Sequence, residues 1–172
     1  MQLSDNDFQI FGLPERCELQ RSELDDRWKA LQSEVHPDRF AAEGAAAQRV
    51  AMQWSVRVNE AYQRLKDPLQ RSAYLCGLHG VPVQAENNTA MPAAFLMQQM
   101  EWREQLDEAR DLPTVEALAD AVAERQRQMH TELAQAIDGR QDWPAAAQTV
   151  RALMFVARFA ADVDRRLDAL GQ

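Results

Sequence analysis

The sequence predicts an all-α protein, and three observations carry that expectation. Its 172 residues hold 28 alanines but only 17 valines, isoleucines and threonines together, and strands favour β-branched side chains whereas helices favour Ala, Leu, Gln, Glu and Arg. Apolar residues recur at steps of three and four rather than alternating. Six glycines and seven prolines leave few breaks between long periodic segments. A chain of this length makes one medium domain or two small ones and buries a core without metal or disulfide staples.

Taken in order, Phe8, Ile10, Phe11 and Leu13 suggest a brief first helix, ended by Gly12 and Pro14. Leu24, Trp28, Leu31 and Val35 form the stripe of a second helix. Pro37 stops it, because the residue before a proline is pushed out of the α region. A loop with Pro37 and Gly44 leads to Ala51, Trp54, Val58, Ala61 and Leu65, a long helix closed by Asp67-Pro68. Two such stripes joined by a loop read as an antiparallel hairpin. A short helix over 69–78 follows, with Tyr74 and Leu75 turned inward.

The stretch 79–92 gathers Gly80, Pro82, Asn87, Asn88 and Pro92, and is read as a linker between a domain at 1–78 and one at 93–172. Three helices fill the second half, over 93–110, 114–138 and 143–170. Pro113 and Pro144 suit first turns, and Gly139 and Gly171 suit C-terminal caps. The middle helix offers Leu118, Val122, Met129, Leu133 and Ala136. The last offers Leu153, Val156, Ala160, Val163, Leu167 and Leu170 as a seam, so a three-helix bundle is expected.

Charge narrows the function classes. The net charge is −8 with a pI near 4.9, which argues against a nucleic-acid binder. Residues 1–80 carry 12 acids and 10 bases, and 81–172 carry 15 and 9, so the acidity belongs to the second half. No basic leader and no 18-residue apolar run is present, so a cytoplasmic chain with no membrane span is expected. Cys17 and Cys76 lack metal-ligand spacing and are expected to be small buried residues. Asn87-Asn88-Thr89 matches a glycosylation acceptor by chance in a chain that is not secreted.

The loop after the second helix reads His36-Pro37-Asp38-Arg39-Phe40. A histidine and an aspartate two apart could bind a metal or act as an acid–base pair, but His79 and His130 lie far off and no third ligand is near. On those residues alone, a turn in which His36 caps the preceding carbonyls is the plainer reading. The context changes it. The tripeptide stands between a helix of about four turns and a long partner that ends Asn59-Glu60-Ala61-Tyr62-Gln63-Arg64-Leu65-Lys66-Asp67-Pro68, with Arg71 and Tyr74 beyond. Residues 5–76 thereby resemble the J-domain of DnaK-type co-chaperones. The resemblance implies that His36, Pro37 and Asp38 contact the ATPase chaperone and trigger its hydrolysis, helped by Arg27, Lys29 and Arg39, with no catalysis on this chain. The family presents a more basic second helix; here Arg27 and Lys29 face Asp25, Asp26 and Glu34, and Arg39 stands where lysine is commoner. That departure implies a dedicated chaperone or modest electrostatic steering.

The helix over 93–110 carries two apolar faces. At about 100° per residue, Phe95, Trp102, Leu106 and Ala109 cluster on one side as the expected core face. Leu96, Met97 and Met100 lie opposite, interleaved with Glu101 and Glu104. Phe155 falls about 90° off the seam of the last helix. Apolar residues rimmed by charge mark a partner surface, or else a widened core stripe with Met97 and Met100 as fillers. The run from Ala94 to Glu108, with Thr149-Val150-Arg151-Ala152-Leu153-Met154-Phe155, is similar to the C-terminal domain of the HscB family, J-type co-chaperones of iron–sulfur cluster biogenesis. That resemblance implies that Leu96, Met97, Met100, Glu101, Glu104 and Phe155 bind the cluster scaffold IscU, and that the chaperone is HscA. Met100 replaces the commoner leucine, and the zinc-binding cysteine extension of eukaryotic relatives is absent, which implies the bacterial form. It further implies a monomeric adaptor without a cofactor of its own, the cluster belonging to the scaffold.

Overall fold

The computed structural model describes residues 1–85 and 90–172, and no strand occurs among them. The chain divides into two compact units, Met1–Leu75 and Cys76–Gln172.

In the first unit, α1 (Asp7–Phe11) opens on a capping box: the Asn6 side chain accepts from the Gln9 N–H while the Gln9 side chain accepts from the Asn6 N–H. Gly12 closes it in the left-handed region at φ 61°. Helix α2 (Arg21–Val35) and α3 (Ala45–Lys66) pack on each other and on α1. Leu24, Val58, Ala61 and Leu65 fill the space between them and are almost wholly buried. Burial of Leu24, Val58 and Leu65 contributes on the order of 2 kcal/mol each by leaving water, and that of Ala61 less. Polar contacts set the pairing of α2 with α3. Trp28 stacks on Tyr62 with centroids 4.4 Å apart, and its ring N–H donates to Asn59 Oδ1 at 3.0 Å. The Tyr62 hydroxyl donates to Asp25 at 2.7 Å. Helix α4 (Pro68–Leu78) follows at once, its first turn capped by the Asp67 carboxylate, and the division between the units falls within it.

The connection from α2 to α3 is more regular than the loop expected there. Residues Pro37–Glu43 wind into a 3₁₀ helix. Cys17 and Cys76 are both buried, and Cys17 also sits 3.3 Å from the Ser72 hydroxyl.

The second unit is built on α5 (Ala93–Glu108), α6 (Leu112–Ala134) and α7 (Trp143–Leu170), with α5 packed against both of the others. Asp111 caps α6 by accepting from the Thr114 N–H and hydroxyl, and Asp142 caps α7 by accepting from the Ala145 N–H. Leu118, Val122, Met129 and Leu133 of α6 meet Leu153, Val156 and Val163 of α7. Two details differ from the expected stripes. The seam of α7 uses Phe159, buried and stacked on Trp102 at 5.8 Å, whereas Ala160, Leu167 and Leu170 are only half-buried. The α6 helix stops at Ala134, and Gln135–Gly139 form a π-helical turn that places neighbouring Ala136 and Ile137 both in the core.

Part of the stretch expected as a linker packs with this unit. His79 stacks on Trp143, with rings 3.9 Å apart and nearly parallel. Val83 is buried and its carbonyl accepts from Arg151 at 2.9 Å. The Asn87-Asn88-Thr89 motif and Glu86 lie outside the described residues. No helix among the described residues is long and apolar enough to cross a membrane.

Candidate functional site: an exposed tripeptide and a two-walled groove

The first candidate site is the start of the 3₁₀ helix. Pro37 ends α2, leaving His36 in an extended conformation as the residue that caps the new helix. The His36 ring does not cap the carbonyls behind it. Its Nδ1 accepts from the Asp38 N–H ahead of it at 3.2 Å. Acceptance at Nδ1 in a neutral imidazole puts the ring hydrogen on Nε2. The side chains of His36 and Asp38 are 55% and 93% exposed, and their nearest approach is 3.7 Å. Neither supports the core. Arg39 follows on the outside, donating to the Ser33 carbonyl at 3.1 Å.

Arg27 and Lys29 of α2 are placed differently. Lys29 precedes His36 by seven residues, about two turns, and so lies nearly in line with it. Arg27 falls about 180° around the helix from His36. Its guanidinium donates to the Phe11 and Gly12 carbonyls at 2.8 and 3.0 Å and pairs with Glu23. Arg27 thus ties α2 to the end of α1, where the φ of 61° at Gly12 is one that other residues adopt only with strain. Among the described residues no three of His, Cys, Asp and Glu are grouped to hold a metal ion.

The second candidate site is a groove of about 1460 Å³ between α5 and α7. Trp102 and Leu106 turn inward from α5 and are buried, which forces the residues half a turn away to the outside. Leu96, Met97 and Met100 are accordingly 47%, 62% and 71% exposed. Glu101 and Glu104 stand exposed beside them, and Phe155 of α7 lines the same groove, half-buried. All six of the residues expected at a partner surface therefore share one concave face. Phe95 does not join the core as expected: it is half-buried and lines the groove too. The floor is fixed by Arg103, which lies over the Phe159 ring at 5.0 Å and donates to Asp162 across the groove at 2.8 Å. That guanidinium holds the Asp162 carboxyl below the usual range. A surface with this build can grip an apolar segment and orient it by charge. Periodicity alone missed Phe95, Arg103 and Arg158 as groove residues, since their positions depend on how α5 lies against α7.

Comparison with known proteins places the chain in a family. Residues 91–164 match the family described as the HSCB C-terminal oligomerisation domain. The co-chaperone protein HscB homolog of Bordetella petrii is 51% identical over 161 residues, covering 93% of this chain and 95% of that one. The corresponding homolog of Burkholderia thailandensis is 48% identical over 171 residues, covering 98% and 97%. The solved structure of chaperone HscB from Vibrio cholerae superposes with a TM-score of 0.83 at 36% identity, covering 96% of this chain and 99% of that one. Human co-chaperone HscB shares the fold, with a TM-score of 0.89 at 23% identity over 96% and 83% of the two chains. A J-like helical unit followed by a helical bundle is the build of a J-type co-chaperone. Relatives about half identical over almost their whole length make the assignment narrower: the chain belongs to the HscB co-chaperone family.

Proposed function

We propose that this chain is a non-enzymatic adaptor that brings the iron–sulfur scaffold IscU to the chaperone HscA and stimulates the ATPase of that chaperone. The α5–α7 groove holds the scaffold through Leu96, Met97, Met100, Glu101, Glu104 and Phe155. His36, Pro37 and Asp38 touch the chaperone, with Lys29 and Arg39 adding positive charge and Arg27 acting through its hold on α1. The cluster is cargo on the scaffold. Holding scaffold and chaperone on one chain raises their effective concentration for each other, and ATP hydrolysis then locks the scaffold in place.

The observation that carries this reading is the exposure of Leu96, Met97 and Met100 on the side of α5 turned away from the buried Trp102 and Leu106. A bundle helix with its core face already satisfied has no structural use for three more apolar residues in water. The tripeptide supports the other half: the His36 and Asp38 side chains are exposed on a capped, ordered turn.

The test is the steady-state ATPase rate of HscA with this protein, with and without IscU. Stimulation that rises synergistically with scaffold and disappears in His36→Gln is the expected result. The variant should keep its helical signal and melting temperature, because His36 contributes one turn contact and more than half of its side chain is exposed. Stimulation with no scaffold effect would retire the iron–sulfur half of the reading. A large loss of stability in His36→Gln would make that residue structural.

A further inference from the structure

The groove has walls of unlike charge, and this asymmetry says something about its occupant. On the α5 wall Glu101, Glu104, Asp107 and Glu108 run along one side, and none forms an ion pair among the described residues. On the α7 wall Arg165 is engaged by Asp162, which also takes Arg103 from α5. Arg158 is the exception. It lies one turn beyond Phe155, its guanidinium rests over that ring at 5.8 Å, it is exposed, and it has no carboxylate partner among the described residues. A guanidinium spread on an aromatic face keeps its outer edge free for planar, bidentate capture of a carboxylate.

We propose that Arg158 is a specificity-determining residue of this groove: it receives a carboxylate of the docked scaffold while the α5 carboxylates receive basic side chains of the same segment. The occupant is therefore an apolar segment with basic residues along one edge and an acidic residue on the other, which fixes the direction in which it lies. The inference rests on the groove being the scaffold site. Charge that is complementary on two opposed walls selects one orientation and penalises the reverse.

The experiment is titration of IscU into the full chain by calorimetry at low and high salt, for the unaltered protein and for Arg158→Ala, Arg158→Glu, Arg158→Lys and Arg127→Glu. Arg127 pairs with Glu124 on α6 outside the groove and controls for net charge. Arg158→Ala should weaken binding about fivefold and Arg158→Glu about thirtyfold, with a smaller loss in Arg158→Lys and a shallower salt dependence in Arg158→Ala. Helical signal and melting should be unchanged in each. Equal losses in Arg158→Glu and Arg127→Glu would overturn the inference, as would unaltered affinity in Arg158→Glu, and either would leave the scaffold reading standing. No scaffold binding by the unaltered protein would overturn both. Self-association that Arg158→Glu abolishes, without scaffold affinity, would assign the groove to a second copy and overturn the inference as well.

Discussion

Asp7 is the residue on which the first unit most depends, and nothing in its surroundings in the sequence singles it out. Its side chain is wholly buried, with one oxygen 2.8 Å from Arg57 and the other 2.7 Å from Arg64. Arg57 also donates to the Asp5 carbonyl at 2.8 Å, Arg64 lies over the Tyr74 ring at 4.8 Å, and the Tyr74 hydroxyl accepts from the Asp7 N–H at 3.0 Å. One carboxylate thus gathers α1, α3 and α4. Desolvating a carboxylate is costly, so the assembly is stable only while both guanidinium partners remain. Asp7→Asn should lower unfolding stability by about 3 kcal/mol, near the low end for a broken buried pair because Arg64 still reaches water. Urea denaturation followed by circular dichroism measures it, and a loss under about 1 kcal/mol would show that the pair barely exceeds a surface bridge. The sequence could not disclose this cluster, because Asp7, Arg57, Arg64 and Tyr74 meet only after α1 folds across α3. The order of residues did disclose where the tripeptide stands, since Pro37 forces α2 to stop and leaves His36 and Asp38 at a helix junction. It did not disclose which way His36 turns: the carbonyls behind and the Asp38 N–H ahead are equally near in sequence.

At the scale of single helices, α5 divides cleanly into a face that holds the bundle and a face that does not. Trp102→Ala or Leu106→Ala should cost about 3–5 kcal/mol, as truncation of buried large side chains does. Leu96→Ala, Met97→Ala and Met100→Ala should each stay within about 0.5 kcal/mol of the unaltered protein while weakening scaffold binding by about 1–3 kcal/mol. Thermal melts and binding isotherms on the same variants separate the two faces; comparable destabilisation on both would contradict the exposures. The period of 3.6 put Trp102 and Leu106 on the core face in advance, but for Leu96, Met97 and Met100 it left a widened core stripe open, and only their exposure decides against it. Phe95 escaped that period, because a wheel gives direction but not whether a neighbouring helix reaches that far toward the N-terminus. Phe159 escaped for a related reason: a coiled-coil spacing selects Ala160, and only the stack on Trp102 turns the seam by one residue. Acid sensitivity also belongs to this scale. Hydrogen bonds from the Thr114 hydroxyl and N–H lower the pKa of Asp111, and the Arg103 guanidinium does the same for Asp162. A carboxyl depressed in the folded state adds stability above its unfolded pKa, about 4, and loses it as the pH falls through the folded value. Unfolding of the second unit should therefore become easier below about pH 4, and Asp162→Asn should flatten part of that fall.

For the molecule as a whole, the segment after α4 belongs physically to the second unit. The His79–Trp143 stack, buried Val83 and its bond to Arg151 all lie outside 93–172 on one side and inside it on the other. A fragment spanning 76–172 should consequently melt at a higher temperature than one spanning 93–172; equal melting would mean that these contacts add nothing. The π-helical turn at the end of α6 has a different kind of consequence. Arg140 N–H reaches back to the Gln135 carbonyl at 3.0 Å and Asp142 N–H to the Ala136 carbonyl at 2.8 Å, so Asp142 is delivered where it can start α7. Gln141 takes the left-handed φ of 51° that the corner demands. Losing one residue here would restore an ordinary α-helical turn and swing Ile137 about 100° out of the core, while advancing the start of α7 by the same angle. The corner therefore acts as a length gauge for the chain: between Gln135 and Asp142, insertions and deletions should be far less tolerated than substitutions, and chains of this build should hold that spacing constant even where the residues themselves differ.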